Sequence, residues 1–167
     1  MYLPNQPKWD LRFLRLAEEV STWSKDPRTK VGALIVTPDR RQFSTGYNGF
    51  PRKIADTLER LADREMKNKI VVHAEMNAID NCNFDVQGCS LYTTLFPCNR
   101  CCVSIINNNI KRIVTFNDFR KEMNHDLSYE LFEEAGVEVV LFSNEYKIDH
   151  GAFCETVVTC QSFSEKI

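Results

Sequence analysis

Three side chains of the kind that hold zinc, His73, Cys98 and Cys101, stand with a carboxylate, Glu75, that such a site does not need as a ligand. A structural zinc site closes with four protein ligands, whereas a catalytic one keeps three and leaves its fourth position to water. Zinc brings the ionisation of water close to neutral pH, and a carboxylate two residues from a ligand can take that proton and pass it on. Three ligands and a surplus acid point to hydrolysis at a metal, with one Zn2+ per chain.

Each half of this group is ambiguous by itself. A histidine ahead of a helix is commonly structural, and an isolated C-x-x-C fits a redox pair or a closed zinc site. Together, His73-Ala74-Glu75 and Pro97-Cys98-Asn99-Arg100-Cys101 match the H-x-E and P-C-x-x-C pattern described for zinc nucleobase deaminases. Cys102 is four residues from Cys98 and so falls near the same helix face. Cys101 completes the matched spacing, and Cys102 is read as helix packing.

The surrounding residues must position these groups. Met76, Ala78, Ile79 and Cys82 have helical spacing, and Ile70-Val71-Val72 reads as a short extended lead, which puts His73 and Glu75 in a first helical turn. Pro97 suits a first helical position, and Val103, Ile105 and Ile106 continue that helix until Asn107-Asn108-Asn109. Unsatisfied amides at a helix start favour thiolate, the form a metal needs.

Elsewhere Trp9, Phe13, Leu16, Ala17 and Val20 form one helical stripe ended by Asp26-Pro27. Residues 31–36 and 42–47 read as strands joined by the turn Pro38-Asp39-Arg40, a hairpin, and residues 54–68 as partly helical. Residues 89–94 and 112–116 read as further strands. Leu127, Leu131 and Ala135 mark a helix stopped by Gly136, and a strand over 137–142 follows. Alternating strands and helices imply an α/β layered domain whose late strands are parallel.

At 167 residues the chain suits one domain, and a formal charge of −2 argues against a broad grip on a nucleic-acid backbone. No apolar run approaches a membrane span, and the first ten residues lack the segments of a secretory signal, so a cytoplasmic location is expected. Seven cysteines, an odd number with two assigned to metal, fit a reducing compartment better than a disulfide framework. Cys82 and Cys89 lie in packed segments, and Cys154 and Cys160 read as free thiols.

Four stretches occur in order: Lys30-Val31-Gly32-Ala33-Leu34-Ile35-Val36, Gly46-Tyr47-Asn48-Gly49-Phe50-Pro51, His73-Ala74-Glu75-Met76-Asn77-Ala78-Ile79 and Leu91-Tyr92-Thr93-Thr94-Leu95-Phe96-Pro97-Cys98. From about Leu11 to Phe142 the chain resembles the deoxycytidylate deaminase family, phage and bacterial type, of the zinc-dependent cytidine deaminase superfamily. The zinc motifs mark only the superfamily, and Gly46 to Pro51 is the more discriminating stretch. The resemblance implies a three-layer α/β/α sandwich around a mixed five-stranded sheet. The catalytic domain would span residues 1–143, with residues 144–167 an extension packed on it or on a neighbouring subunit.

By the same resemblance the reaction is hydrolysis of dCMP to dUMP and ammonia, supplying thymidylate synthesis, with Glu75 as proton carrier and no organic cofactor. Asn48 would hydrogen-bond the deoxyribose and the Ala74 backbone would help read the base. Arg28 and Lys30 are phosphate candidates, and Asn117 and Asp118 weaker candidates for the pocket rim. Family members are commonly hexamers activated by dCTP and inhibited by dTTP near the Gly46, Tyr47, Asn48, Gly49, Phe50, Pro51 loop, whose glycines could expose amides to a ligand or form a tight turn. Some phage-type relatives bind a second zinc between that loop and the catalytic histidine. Residues 50–72 contain neither Cys nor His here, so His125 and His150 are read as ordinary residues. Alternatives are dCTP as a further substrate, a tRNA adenosine deaminase, a free cytidine deaminase, and a non-catalytic nucleotide-binding regulator that keeps zinc for stability. The acid at Glu75 argues against the last.

Overall fold

Phe13, Leu14, Ala17 and Val20 lie buried along one side of helix α1 (Gln6–Ser21), and the stripe packs on a five-stranded sheet. A computed structural model describes residues 6–116 and 126–142. The strands are β1 (Gly32–Val36), β2 (Phe43–Tyr47), β3 (Ser90–Thr93), β4 (Arg112–Phe116) and β5 (Glu138–Phe142), in the order β2-β1-β3-β4-β5. β1 is antiparallel to both β2 and β3, while β3, β4 and β5 run parallel, which gives the predicted hairpin and the predicted parallel late strands.

Every residue of β1 and β4 is buried, the mark of strands covered on both faces. Leu34, Val36, Tyr92 and Val114 meet α1. Ala33, Ile35, Leu91 and Ile113 belong to the opposite core, against α4 (Ala74–Asp80), α5 (Asn99–Asn107) and α6 (Asp126–Glu134). The period-two alternation of the strands thus divides the core into two layers around the sheet and completes the three-layer sandwich. At Gly32 the layers touch backbone to backbone: a Cβ would overlap the Ala17 carbonyl oxygen and lie 2.6 Å from the Ser21 nitrogen.

The stretch between β2 and α4 holds two short helices, α2 (Leu58–Ala62) and α3 (Arg64–Ile70). Asp63 separates them, closing the first and capping the second by accepting from the Met66 amide at 3.0 Å. Two expected boundaries shift. Ile70 ends α3 instead of starting an extended lead, and Val72 alone makes a bridge, to Gly49. Pro97 precedes α5, which begins at Asn99 with Cys98 as its N-cap; a residue before proline avoids helical backbone, but Pro97 itself is followed by one more extended residue. Asn117, Asp118, His125, His150, Cys154, Cys160 and residues 144–167 lie outside the described residues. Among the described residues no helix is long and apolar enough to cross a membrane.

A buried ionic network ties α1 to the sheet. The two terminal guanidinium nitrogens of Arg112 donate to the two Asp10 oxygens at 2.7 Å, and the Tyr92 hydroxyl donates to Oδ1 at 2.8 Å. Asp10 is 1 % exposed. Asp10→Ala leaves Arg112 its 3.1 Å ion pair with the less buried Glu138 but removes the better-buried carboxylate, so it is expected to cost about 3 kcal/mol. Urea unfolding with an unchanged slope would read this as a lower midpoint; a loss under about 1 kcal/mol would show that water re-solvates Arg112 there.

Candidate active site

His73 and Cys98 occupy equivalent places, each the extended N-cap of a helix, α4 and α5, and neither cap makes a side-chain bond to its own helix. Their side chains are thereby left to turn toward one another. His73 Nδ1 lies 3.4 Å from both Cys98 Sγ and Cys101 Sγ, and the three donor atoms fall within 4.8 Å of one another. Among the described residues this is the one such group of His, Cys, Asp or Glu. Two sulfurs and one ring nitrogen in this cluster suit the tetrahedral, borderline-soft preference of zinc and leave one coordination position over.

The three donors are coupled through their protons. The Cys101 thiol and then His73 donate toward Cys98, and although burial opposes ionisation, they lower its pKa to about 3. Cys101 moves the other way, held as a thiol chiefly by that bond to Cys98 and by burial, and the Cys98 contact raises His73. A divalent cation would take the place of those shared protons. Cys102, by contrast, is fully buried with Sγ 3.5 Å from the Ser128 carbonyl, and burial raises it to about 11. Cys82 and Cys89 are likewise free thiols.

Glu75, the second residue of α4, is only 4 % exposed. Burial pushes its carboxyl above the usual range, against the opposing pull of its own amide and of His73. It shares with His73, Ala74 and Cys98 a cavity of about 210 Å³, covered in part by Leu95 and Phe96. A buried carboxyl that holds its proton more tightly than usual, beside a three-donor metal cluster and lining a cavity, is placed to hold and pass on a proton.

Residues 7–117 match the family described as the cytidine and deoxycytidylate deaminase zinc-binding region. The chain belongs to this family. Among the deaminases it resembles, the deoxycytidylate deaminase of Mus musculus is 38 % identical over 146 residues, 83 % of this chain and 82 % of the mouse protein. An uncharacterized deaminase of Aliivibrio fischeri is 39 % identical over 137 residues, 79 % and 92 % of the two chains. The crystal structure of the dCMP deaminase of cyanophage S-TIM5 with dCMP and dUMP superposes with a TM-score of 0.69 at 26 % identity, over 82 % of this chain and 98 % of that one.

In this deaminase-family chain the other predicted site residues are placed unevenly. Asn48 lines the same cavity, but its side chain also serves the fold: Oδ1 accepts from the Val31 amide at 2.8 Å and Nδ2 donates to the Thr29 carbonyl at 2.8 Å. One amide proton of Asn48 remains for a ligand. Arg28 and Lys30 are exposed and do not line the cavity; Lys30 reaches back to the Thr22 carbonyl at 3.4 Å. Thr29, between them, does line it, as do Asp26 and Lys67. No local pattern could reveal the last two, because the pair is 41 residues apart and only the fold joins it.

The Gly46 to Pro51 loop has a different physical basis from the one its composition implies. Gly46 lies within β2 opposite Ala33, and a Cβ there would run into the Ala78 nitrogen and the Ala74 carbonyl of α4. Gly49 exchanges both backbone hydrogen bonds with Val72, at 3.1 and 2.8 Å, and has no positive φ. Neither glycine forms a tight turn, and the Gly49 amide is already engaged. Tyr47 is 40 % exposed and stands edge-on to Trp23, while Tyr47, Gly49 and Phe50 border a small cavity of about 80 Å³ with Lys25 and Asp56.

Proposed function

We propose that this chain hydrolyses dCMP to dUMP and ammonia, supplying dUMP for thymidylate synthesis, with one zinc ion held by His73, Cys98 and Cys101. The observation that carries the reading is the three-donor cluster, two of whose members, His73 and Cys98, line the cavity that the buried carboxyl of Glu75 borders. The mouse and cyanophage relatives named as dCMP deaminases support the choice of substrate.

Bound zinc supplies a Lewis acid that acidifies water near neutral pH. Glu75 would take a proton from the attacking water, deliver it to N3 of cytosine, and carry a second to the departing amino group. Water gains the bond to C4, the C4–N4 bond breaks, and the nitrogen leaves as ammonia. The Ala74 backbone reads the base edge, and Asn48 uses its remaining amide proton on the sugar. Leu95 and Phe96 add apolar surface to the cavity wall. A homohexamer activated by dCTP and inhibited by dTTP at the Gly46 to Pro51 loop belongs to the same reading, through the exposed side chain of Tyr47 and that of Phe50.

The test is ammonia release by zinc-loaded protein from dCMP, dCTP, deoxycytidine and a tRNA adenosine substrate, each with and without dCTP or dTTP as effector. Turnover of dCMP that a chelator abolishes and added zinc restores is the expected result. Unregulated turnover would remove the effector assignment alone, preference for tRNA would overturn the substrate, and inactivity on every substrate despite bound zinc would leave a regulator.

A further inference from the structure

A lysine hidden in the cavity wall asks for a ligand. Lys67 is 8 % exposed at its side chain and Asp26 is 7 %, and Nζ donates to Asp26 Oδ2 at 2.8 Å. Among the described residues Asp26 is the one side-chain partner of that ammonium, which has three protons to give. Buried donors without acceptors are rare, because each forgoes a bond that water would have made. Lys67 is also the only lysine or arginine among the described residues lining the cavity that Glu75 and His73 border.

Asp26 is more fully engaged. Oδ1 accepts from the Arg28 and Thr29 amides at 2.8 and 3.1 Å, and Oδ2 accepts from Lys67. Oδ2 still has capacity for a further donor beside Lys67. Thr29 then accepts from Asn48 through its carbonyl, so Lys67, Asp26, Thr29 and Asn48 form one hydrogen-bonded wall. The site expected to meet the sugar is continuous with the ion pair.

The charge of the pair selects among ligand groups. Ammonium and carboxylate cancel, so the pair is a poor anchor for a phosphate dianion, which the carboxylate would repel. A hydroxyl complements both members at once, since it donates through its proton and accepts through its oxygen. A 2′-deoxynucleotide 5′-phosphate carries one free sugar hydroxyl, at C3′.

We propose that the Asp26–Lys67 pair binds the 3′-hydroxyl of the substrate's deoxyribose, Asp26 accepting from it and Lys67 donating to it. The proposal rests on the reading of the substrate as a cytosine deoxynucleotide. The pair is then a determinant of sugar specificity, and the phosphate is recognised elsewhere. A site built around a substrate hydroxyl rejects an analogue lacking it, because its own buried groups are left unpaired.

The experiment compares kcat/KM for dCMP and for 2′,3′-dideoxycytidylate in the zinc-loaded full chain, with deoxycytidine as the phosphate-free control. Wild type is expected to prefer dCMP over the dideoxy analogue by at least about 100-fold. In the double variant Asp26→Asn/Lys67→Met that preference should fall below about 5-fold, while the preference for dCMP over deoxycytidine stays within about 3-fold of wild type. The side-chain carbonyl that Asp26→Asn introduces can still accept from the Arg28 and Thr29 amides, so the turn is kept. The single variant Lys67→Arg, with Asp26 unchanged, should retain most of the hydroxyl preference. Dissociation constants of dUMP and 2′,3′-dideoxyuridylate, measured by calorimetry, should show the same contrast without turnover.

Three results would overturn the assignment. Wild type that accepts both sugars equally shows no hydroxyl recognition. A variant that loses rate on both sugars alike but keeps the ratio shows a merely structural pair, and one that loses the phosphate preference instead shows that Lys67 reads the phosphate. Wild type that turns over no cytosine nucleotide fails at the earlier step, the substrate reading itself.

Discussion

Glu75→Ala is expected to lower kcat for dCMP by roughly 10³-fold while zinc content stays at one ion per chain, because the acid moves protons and is not one of the three donors. Its carboxyl makes none of the ion pairs found among the described residues, so its loss strands no buried cation. The folded state should tolerate the change, and thermal unfolding should confirm it. Metal analysis beside kinetics separates the possibilities: retained zinc with lost turnover assigns Glu75 to proton transfer, whereas lost zinc would make it a ligand and dissolve the distinction from the trio. Turnover within tenfold of wild type would return the chain to the regulator reading.

The second large effect lies away from the chemistry, at Gly46. A Cβ at this position meets the backbone of α4 at the Ala74 carbonyl and at Ala78, whose Cα would be 2.8 Å away. Backbone cannot rotate aside as a side chain can, so β2 and α4 must separate. Overpacking of this kind costs about 1–3 kcal/mol, and more where the obstacle is backbone. α4 carries Glu75 and is capped by His73, so the separation also displaces the catalytic groups. A misplacement of about 1 Å costs on the order of 10² in rate. Gly46→Ala is therefore expected to lose stability and activity together. Gly88→Ala provides the contrast: its Cβ would meet nothing within 4 Å, and only the φ of 76° stands against it, worth about 1 kcal/mol with activity intact. Equal behaviour of the two variants in denaturant and turnover would dispose of the close-packing argument.

What the sequence makes legible is whatever repeats locally or matches in spacing. The α1 stripe, the buried strands and the Gly136 stop with its φ of 65° all follow from short-range rules. So do His73, Glu75 and the paired cysteines, because each half of the group sits within a few residues of a helix cap. The rest depends on pairings that leave no local trace. Asp10 and Arg112 are 102 residues apart, and Asp26 and Lys67 are 41 apart; read singly, each is an ordinary charged residue on a solvated face. Lys67 looks like one more cation of a charged helix until α3 is seen to turn it inward. Gly46 misleads for the opposite reason. Its neighbours suggest a ligand loop, but the requirement for glycine comes from α4, well downstream in the chain.

The bridge between Gly49 and Val72 closes a circuit. The chain leaves the site after Asn48, traverses α2 and α3, and returns beside His73 at almost the point it left. Its ends are pinned by two backbone hydrogen bonds, and the entropy of closing a longer loop rises only with the logarithm of its length. Variation in α2, none of whose residues is buried, is thus expected to pass without a signal to the metal cluster. Its start is tied to α4 by Arg52, which donates to Asn81, and its last helix carries Lys67 back to the cavity, so the segment behaves as a replaceable arc between two anchored ends.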